Sequence, residues 1–203
     1  MSTTESAELR SAARDGATPY ARQSRLAPFG LIVGPHRYVA EESARLAALR
    51  WSHFDAKPSS PAIGAEIEGL DLTRELPELV VAELRRALHE YKVIFFRDQP
   101  LTAAQHAAFA RRFGELELHP FIPSNTGQPE LVRFEKSAEV GGYENAWHHD
   151  VTWRECPSMG AVLHAIRVPA VGGDTLFADM YGAYESLSDE TRHRVDGLTA
   201  VHD

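Results

Sequence analysis

Apolar and polar positions follow a helical period in several parts of the chain, mainly in its first half. Four stretches are predicted to be helices, from this pattern or from capping signals, and they span residues 39–51, 79–90, 102–113 and 189–197. In the second stretch, Val80, Leu84 and Ala87 share one face and predict an amphipathic helix. In the third, Thr102 and Gln105 have the spacing of a capping box. The fourth is predicted to begin after an N-cap serine and to stop at a glycine.

Short runs of β-branched and aromatic residues, separated by turn-forming clusters, predict strands. They span residues 65–68, 92–97, 131–134, 160–168 and 175–178. Prolines and serines at 57–61 predict a loop. Helices first and short strands later favour an α+β domain in which helices pack on a β-sandwich or jelly roll.

The first 52 residues are predicted to form an N-terminal arm with a short helix, and the main domain is predicted to begin at residue 53. Residues 1–26 are rich in alanine, serine and arginine, which predicts a poorly ordered or weakly helical start. This segment contains acidic residues and has no apolar signal core. A cytoplasmic location is therefore expected.

Composition excludes some classes of function. The formal net charge is −8, and the basic residues are interspersed with acidic ones. Binding to nucleic acid requires clustered Lys and Arg, so it is not expected. No apolar run approaches the length of a membrane span, so no membrane partner is expected either. The single cysteine, Cys156, rules out an intrachain disulfide and a cysteine-based zinc site, and it is predicted to be a packed thiol.

The residues best suited to chemistry lie in NAWHHDVTW, residues 145–153. His148 and Asp150 are two positions apart, and on an extended strand such side chains point to the same face. The strand would present an imidazole and a carboxylate to one metal ion, with His149 on the opposite face. Two histidines and one carboxylate form the facial triad of non-haem iron(II) oxygenases. An isolated His-x-Asp pair is more typical of a polar loop, so its sequence context matters.

WHHDVTW resembles the WH-x-DVT-aromatic motif of the taurine dioxygenase family, which also contains alkylsulfatases and herbicide-degrading dioxygenases. Further strings similar to the family occur in the same order: IGAEIEGLDL at 63–72, KVIFFRDQPLT at 92–102, FARRFGELELHP at 109–120 and VGGDTLFADMYGAYESLS at 171–188. The resemblance implies a double-stranded β-helix (jelly roll) with flanking helices. Residues 53–203 would be the N-terminal portion of the catalytic domain, with the C-terminal part of the fold missing.

The resemblance also implies roles for individual residues. His148 and Asp150 would be two of three ligands to Fe(II), and Thr175 would hydrogen-bond a carboxylate of the co-substrate 2-oxoglutarate. The substrate would be contacted by His119, Val151 and Asn145. The family's distal histidine ligand and 2-oxoglutarate-binding arginine have no match in this chain. Three of these residues also have a structural interpretation: Thr175 as a strand threonine, His119 as a loop imidazole and Val151 as a packed valine.

The implied reaction uses O2 and 2-oxoglutarate to hydroxylate a small anionic organic substrate, with succinate and CO2 as products. For a sulfonate or an alkyl sulfate ester, the hydroxylated carbon collapses to an aldehyde and releases sulfite or sulfate. Ile122 and Glu144 stand where the taurine enzyme has a tyrosine and an asparagine. These two differences favour another small acid over taurine.

Two other classes of function stay open at this point. The chain is also interpretable as a truncated, non-catalytic relative that acts as a binding or assembly module. His-Asp pairs at 149–150 and 202–203 superficially suggest a metal-dependent phosphohydrolase, but that class binds its metal from helices, whereas the first pair here lies in a strand-like context. A homo-oligomer is compatible with the sequence in each case.

Overall fold

The computed structural model describes residues 24–26, 31–33, 37–118, 124, 127–135 and 147–201. The strands in this part of the chain are β1 (Ser24–Leu26), β2 (Leu31–Val33), β3 (Asp55–Pro58), β4 (Ala65–Glu68) and β5 (Ile94–Phe95). The helices are α1 (Arg37–Ala47), α2 (Glu78–Tyr91), α3 (Ala103–Arg111), α4 (Met180–Glu185) and α5 (Asp189–Val195). None of these helices is long and apolar enough to cross a membrane.

Strands β3, β4 and β5 form a sheet in that order. β4 pairs antiparallel with β3 and parallel with β5, and α2 makes the crossover that a parallel connection requires. In β4, Ala65 and Ile67 are buried and their neighbours are half-buried, which confirms the strand predicted at 65–68. The predicted loop at 57–61 is wrong for Lys57 and Pro58, because both belong to β3. β3 lies at the edge of the sheet, where proline is tolerated.

The core lies between α2 and this sheet. Val80, Leu84, Ala87 and Tyr91 are buried on one face of α2, as the helical spacing predicts. Leu46 of α1 belongs to the same hydrophobic cluster, together with residues of the sheet and α3. α1 therefore packs on the main core, although it precedes residue 53, where the main domain is predicted to begin.

Several predicted elements are present with different limits. α1 ends at residue 47 rather than 51. The strand predicted at 92–97 is reduced to β5, because Lys92 takes a left-handed conformation (φ 68°) and closes α2 by donating its backbone N–H to Leu88. The segment predicted to be poorly ordered or weakly helical up to residue 26 is wrong at its end, because Ser24–Leu26 pairs with Leu31–Val33.

The capping signals are confirmed. Thr102 and Gln105 form the predicted capping box at the start of α3, and the Ser188 hydroxyl accepts from the backbone N–H of Thr191 at the start of α5. The sequence reasoning missed α4, a six-residue helix. Its N-cap is Asp179, whose side chain accepts from the backbone N–H of Gly182.

The strands predicted at 131–134, 160–168 and 175–178 are wrong for the structure as described, because none of them forms a ladder with a described neighbour. Their composition suits a pleated surface, but a strand forms only where another strand accepts its hydrogen bonds. Leu163, Ile166 and Leu176 are exposed. The α+β class agrees with the elements seen, and the two small sheets of the described residues do not make up a jelly roll.

Replacing Thr102 with alanine is expected to lower the free energy of unfolding by about 1 kcal/mol. The substitution removes the hydroxyl that accepts from the Gln105 backbone N–H. Urea denaturation measures this change. Thr102→Ser retains the hydroxyl and serves as the matched control, so an equal loss in both variants would contradict a capping role.

A candidate metal site at His148 and Asp150

The His148 and Asp150 side chains lie close together. The distance from His148 Nε2 to Asp150 Oδ1 is 3.4 Å, and the two side chains are 57% and 71% exposed. The strand assumed for this segment is wrong, because a turn begins at Asp150. Val151 within this turn has a φ of 53°, a region that β-branched residues rarely adopt. His148 therefore lies just before the turn, and Asp150 lies at its start.

Val151 anchors this turn. Its side chain is only 6% exposed, whereas the residues on both sides of it are more accessible. Burial of an isopropyl group favours the turn and offsets part of the cost of its left-handed backbone. The structural role of Val151 is therefore visible, and its proposed contact with substrate stays a prediction.

The imidazole of His149 contacts the backbone of the turn. Nδ1 of His149 lies 2.9 Å from the backbone carbonyl oxygen of Asp150. The hydroxyl of Thr152 donates to the His149 carbonyl oxygen at 3.5 Å, the limit of a hydrogen bond. His149 thus takes part in the local turn, which makes it a matched control for experiments on His148.

The spacing of the His148 and Asp150 donor atoms suits a shared divalent metal. With metal–ligand bonds of about 2.1 Å, adjacent donor atoms lie about 3.0 Å apart in an octahedral site and about 3.4 Å apart in a tetrahedral one. The observed 3.4 Å lies within a few tenths of an ångström of both values. An imidazole and a carboxylate are also two of the three ligand types of the facial triad.

A third ligand is not found in the parts of the chain that the structure describes. No group of three or more His, Cys, Asp or Glu side chains there could hold a metal ion. The predicted substrate contacts His119 and Asn145, and also His202, lie outside the described residues. His164 lies elsewhere, with Nε2 3.2 Å from the backbone carbonyl oxygen of Gln99. His193 is on α5.

Glu117 is a residue of this region that the sequence reasoning missed. Its Oε2 accepts a hydrogen bond from Arg154 Nη1 at 2.6 Å and another from Ser158 Oγ at 3.1 Å. These contacts attach the chain just after the His148–Asp150 turn to the segment that follows α3. Glu117 lies two positions before His119 in the string FARRFGELELHP, but nothing in that string indicates its partners.

Thr175 is exposed and follows Gly172 and Gly173, both of which have positive φ. Two positions later, the ring of Phe177 makes an edge contact with Phe95 of β5, with ring centroids 6.0 Å apart. The segment is therefore fixed to the sheet by a side-chain contact. The role of Thr175 towards 2-oxoglutarate stays a prediction.

A group of charged side chains lies beside this segment. Lys92 Nζ contacts Glu42 Oε1 at 3.0 Å and Asp179 Oδ2 at 3.2 Å. Burial lowers the pKa of Lys92, but hydrogen bonds to both carboxylates outweigh this effect and raise it above its usual value. Hydrogen bonds, first from Arg45 and then from Lys92, hold the pKa of Glu42 at about 2 against the opposing effect of burial. Lys92 and Glu42 are therefore charged at neutral pH.

Glu42→Gln is expected to reduce stability at pH 7 by about 1–2 kcal/mol, because it removes a charged acceptor from Lys92 and Arg45. A depressed pKa contributes stability above the unfolded value of 4.5, and this contribution is lost as the pH falls towards about 2. The difference between wild type and variant should therefore shrink from pH 4.5 downwards. Urea denaturation at pH 7, 4.5 and 3 measures it. A constant difference, or an equal effect of Glu115→Gln at an exposed position, would contradict the assignment.

Comparison with known proteins identifies relatives over most of the chain. Residues 55–203 match the family described as "Taurine catabolism dioxygenase TauD, TfdA family". An alpha-ketoglutarate-dependent sulfate ester dioxygenase of Pseudomonas putida is 37% identical, over 73% of this chain and 49% of the relative. An alkylsulfatase of Acinetobacter baylyi is 37% identical, over 69% of this chain and 44% of the relative.

The same similarity appears at the level of structure. A crystal structure described as a putative alpha-ketoglutarate-dependent taurine dioxygenase from Burkholderia xenovorans superposes with a TM-score of 0.64 and 40% identity. The match covers 71% of this chain and 53% of that one. The chain thus spans about half the length of the curated relatives and solved structures that it matches.

Proposed function

Since the chain belongs to the TauD/TfdA family of taurine catabolism dioxygenases, we propose that it acts as a 2-oxoglutarate-dependent dioxygenase with Fe(II) at His148 and Asp150. The observation that carries this proposal is the 3.4 Å spacing between His148 Nε2 and Asp150 Oδ1 within the family-like motif. A binding module without catalysis would not require these two donor atoms to converge. A phosphohydrolase that holds its metal on helices is disfavoured, because His149 and Asp150 lie where a turn begins and not in a helix.

Each proposed residue has a distinct task. His148 and Asp150 fix the metal through one neutral and one anionic ligand, which leaves the site with a net positive charge for the dianion 2-oxoglutarate. The Thr175 hydroxyl donates a hydrogen bond to one carboxylate of this co-substrate. His119, Asn145 and Val151 border the substrate. When bound, Fe(II) supplies the redox chemistry by which O2 oxidises the substrate and 2-oxoglutarate becomes succinate and CO2.

The proposed substrate is a small organic acid, either an alkyl sulfate ester or a sulfonate. Hydroxylation next to the ester or sulfonate group yields an aldehyde and releases sulfate or sulfite. The relatives named sulfate ester dioxygenase and alkylsulfatase support this class. A relative named (S)-phenoxypropionate/alpha-ketoglutarate-dioxygenase, from Sphingobium herbicidovorans, is also 37% identical. A substrate panel should therefore contain alkyl sulfates, sulfonates and phenoxy acids.

The proposal includes the double-stranded β-helix. Similarity to the Burkholderia xenovorans structure supports the fold. The exposed apolar side chains of Leu163, Ile166 and Leu176 support it too, because large unpaired apolar surfaces are unusual in a soluble domain.

The test is an anaerobic titration of the protein with Fe(II) and 2-oxoglutarate, followed in the visible spectrum. Chelation of the metal by the keto acid produces a weak metal-to-ligand charge-transfer band. The measurement is made on residues 1–203. If the reading frame continues after Asp203, the measurement is repeated on the full product. His148→Ala is the test variant, and His149→Ala is the matched control.

A band in either form of the protein that is lost in His148→Ala and kept in His149→Ala would support the proposed site. A band seen only in the full product would support it as well and would show that residues after Asp203 complete the site. The proposal would be wrong if wild-type protein gave no band in either form. It would also be wrong if His148→Ala kept the band.

A further inference from the structure

The chain between Gly173 and α4 carries Thr175, and two side chains attach this segment to the rest of the protein. Phe177 contacts Phe95 on β5. Asp179, at the end of the segment, pairs with Lys92 at the junction between α2 and β5. Thr175 therefore precedes two anchoring contacts, and both are made with residues at the α2–β5 junction.

Lys92 is the centre of the second anchor. Its Nζ donates to Glu42 Oε1 of α1 and to the backbone carbonyl oxygen of Ala62 at 2.9 Å, and it lies 3.2 Å from Asp179 Oδ2. Tyr38 of α1 donates to the same Asp179 oxygen at 2.9 Å. The side chains of Lys92, Glu42 and Asp179 are only 16%, 11% and 10% exposed. The Coulomb attraction between charges shielded to this degree is stronger than in an exposed surface pair.

A close steric contact joins α1 to α4 at the same place. A Cβ atom added to Gly182 would lie 2.5 Å from Cε1 and 3.1 Å from Cδ1 of Tyr38. No carbon atom tolerates such a distance without a shift of the ring or the helix. Gly182 therefore permits the approach that allows Tyr38 to reach Asp179.

The Asp179 carboxylate takes part both in the cap of α4 and in the contacts with Lys92 and Tyr38. Asp179 Oδ1 accepts from the backbone N–H of Gly182 and caps α4, while Oδ2 faces Tyr38 and Lys92. α4 has six residues, and an isolated helix of this length is not stable in water. Its stability must therefore come from docking.

We propose that Lys92 is a positioning residue for co-substrate binding: with Asp179 it docks the Thr175 segment and α4 onto α1 and the α2–β5 junction. This inference rests on the proposed function, in which Thr175 binds 2-oxoglutarate. Removal of the lysine charge leaves Asp179 without its cation, while Glu42 stays paired with Arg45. The segment is then held to α1 less firmly. The N-terminal helix α1, which precedes the family match at residues 55–203, thereby stabilises the segment that carries Thr175.

The test compares amide hydrogen exchange in wild type and Lys92→Met. The reporting amides are those of Ala183 and Ser186, which donate to Asp179 and Gly182 within α4. Exchange there is expected to rise at least about tenfold in Lys92→Met, because a charge-assisted hydrogen-bond network is lost. Lys92→Arg keeps the cation and should restore much of the protection. Lys57→Met removes an exposed lysine paired with Glu68 and is the matched control.

A second variant disturbs the contact between α1 and α4 by adding bulk instead of removing charge. Gly182→Ala adds the Cβ atom that meets Tyr38 and leaves every charge in place. It should also raise exchange in α4. A uniform rise across α2 and α4 in Lys92→Met would instead show a general loss of stability and would overturn the positioning role.

The second readout is the Kd for 2-oxoglutarate in the presence of Mn(II), measured by calorimetry on the 203-residue chain and on the full reading-frame product. Lys92→Met is expected to raise this Kd about tenfold, as is typical when a residue that orients a ligand-binding group is lost. Thr175→Val distinguishes a failure of the inference about Lys92 from a failure of the proposed function. If Thr175→Val raises the Kd and Lys92→Met does not, the inference about Lys92 is wrong. If Thr175→Val has no effect, the assignment of Thr175 in the proposed function is wrong, and the inference falls with it.

Discussion

Leu84→Ala is expected to lower the free energy of unfolding by about 3 kcal/mol, within the range of 2–5 kcal/mol typical of buried leucines. Leu84 lies in the middle of α2, and its side chain is 0% exposed. Truncation removes three carbon atoms from a cluster that joins α2 to Ile67 of β4 and Phe109 of α3. The protein interior relaxes only in part, so a cavity adds to the lost transfer free energy. Urea denaturation followed by circular dichroism measures the change.

Leu79→Ala is the matched control for this experiment. Leu79 lies on the same helix and undergoes the same chemical change, but it is 71% exposed. Its substitution should alter stability by no more than about 0.5 kcal/mol. Similar losses in both variants would contradict the assignment of Val80, Leu84, Ala87 and Tyr91 to the buried face of α2.

Asp150→Asn is expected to weaken binding of Fe(II), or of Mn(II) as its air-stable substitute, by more than about 100-fold. Loss of a residue that only orients a metal ligand costs 10–100-fold, and loss of the anionic ligand itself should cost more. The amide has nearly the same shape as the carboxylate, so the turn at Asp150 and Val151 should remain folded. Titration calorimetry with Mn(II) and 2-oxoglutarate measures the affinity.

Glu155→Gln is the control for Asp150→Asn, because it neutralises an exposed carboxylate five positions further along the chain. A general attraction between an acidic protein and a cation would be reduced equally in both variants. A specific site would lose affinity only in Asp150→Asn. Equal effects would therefore contradict the role of Asp150 as a ligand.

The proximity of His148 and Asp150 could be predicted from the sequence, although the strand conformation assumed for them is wrong. The pairing of His148 with Asp150 is predicted from the alternation of a strand, whereas the structure brings the two side chains together where a turn begins. The motif is local, so its residues are close in space in either conformation. Glu117 could not be predicted, because its partners Arg154 and Ser158 are 37 and 41 positions away.

The helices were predicted better than the strands, because helical contacts are local and strand contacts are not. α2 and α3 were predicted well because helical hydrogen bonds and capping contacts are made within a few residues. The strands predicted in the second half have suitable composition, but their hydrogen-bond partners must come from elsewhere in the chain. Only β4, which has neighbours on both sides, forms over the predicted residues.

The sequence by itself determined the amphipathic face of α2, the capping box at Thr102, the proximity of His148 to Asp150 and the resemblance to the family. All of these depend on short spacing or on residue identity. Only the tertiary structure decided that α1 shares the main core, that Lys92 ends a helix and pairs with Glu42 and Asp179, and that Tyr38 packs against Gly182. The Lys92 contacts span 50 positions to Glu42, and the Tyr38 hydrogen bond spans 141 positions to Asp179. Such pairs carry no periodic signal, because they form only after the elements between them have packed.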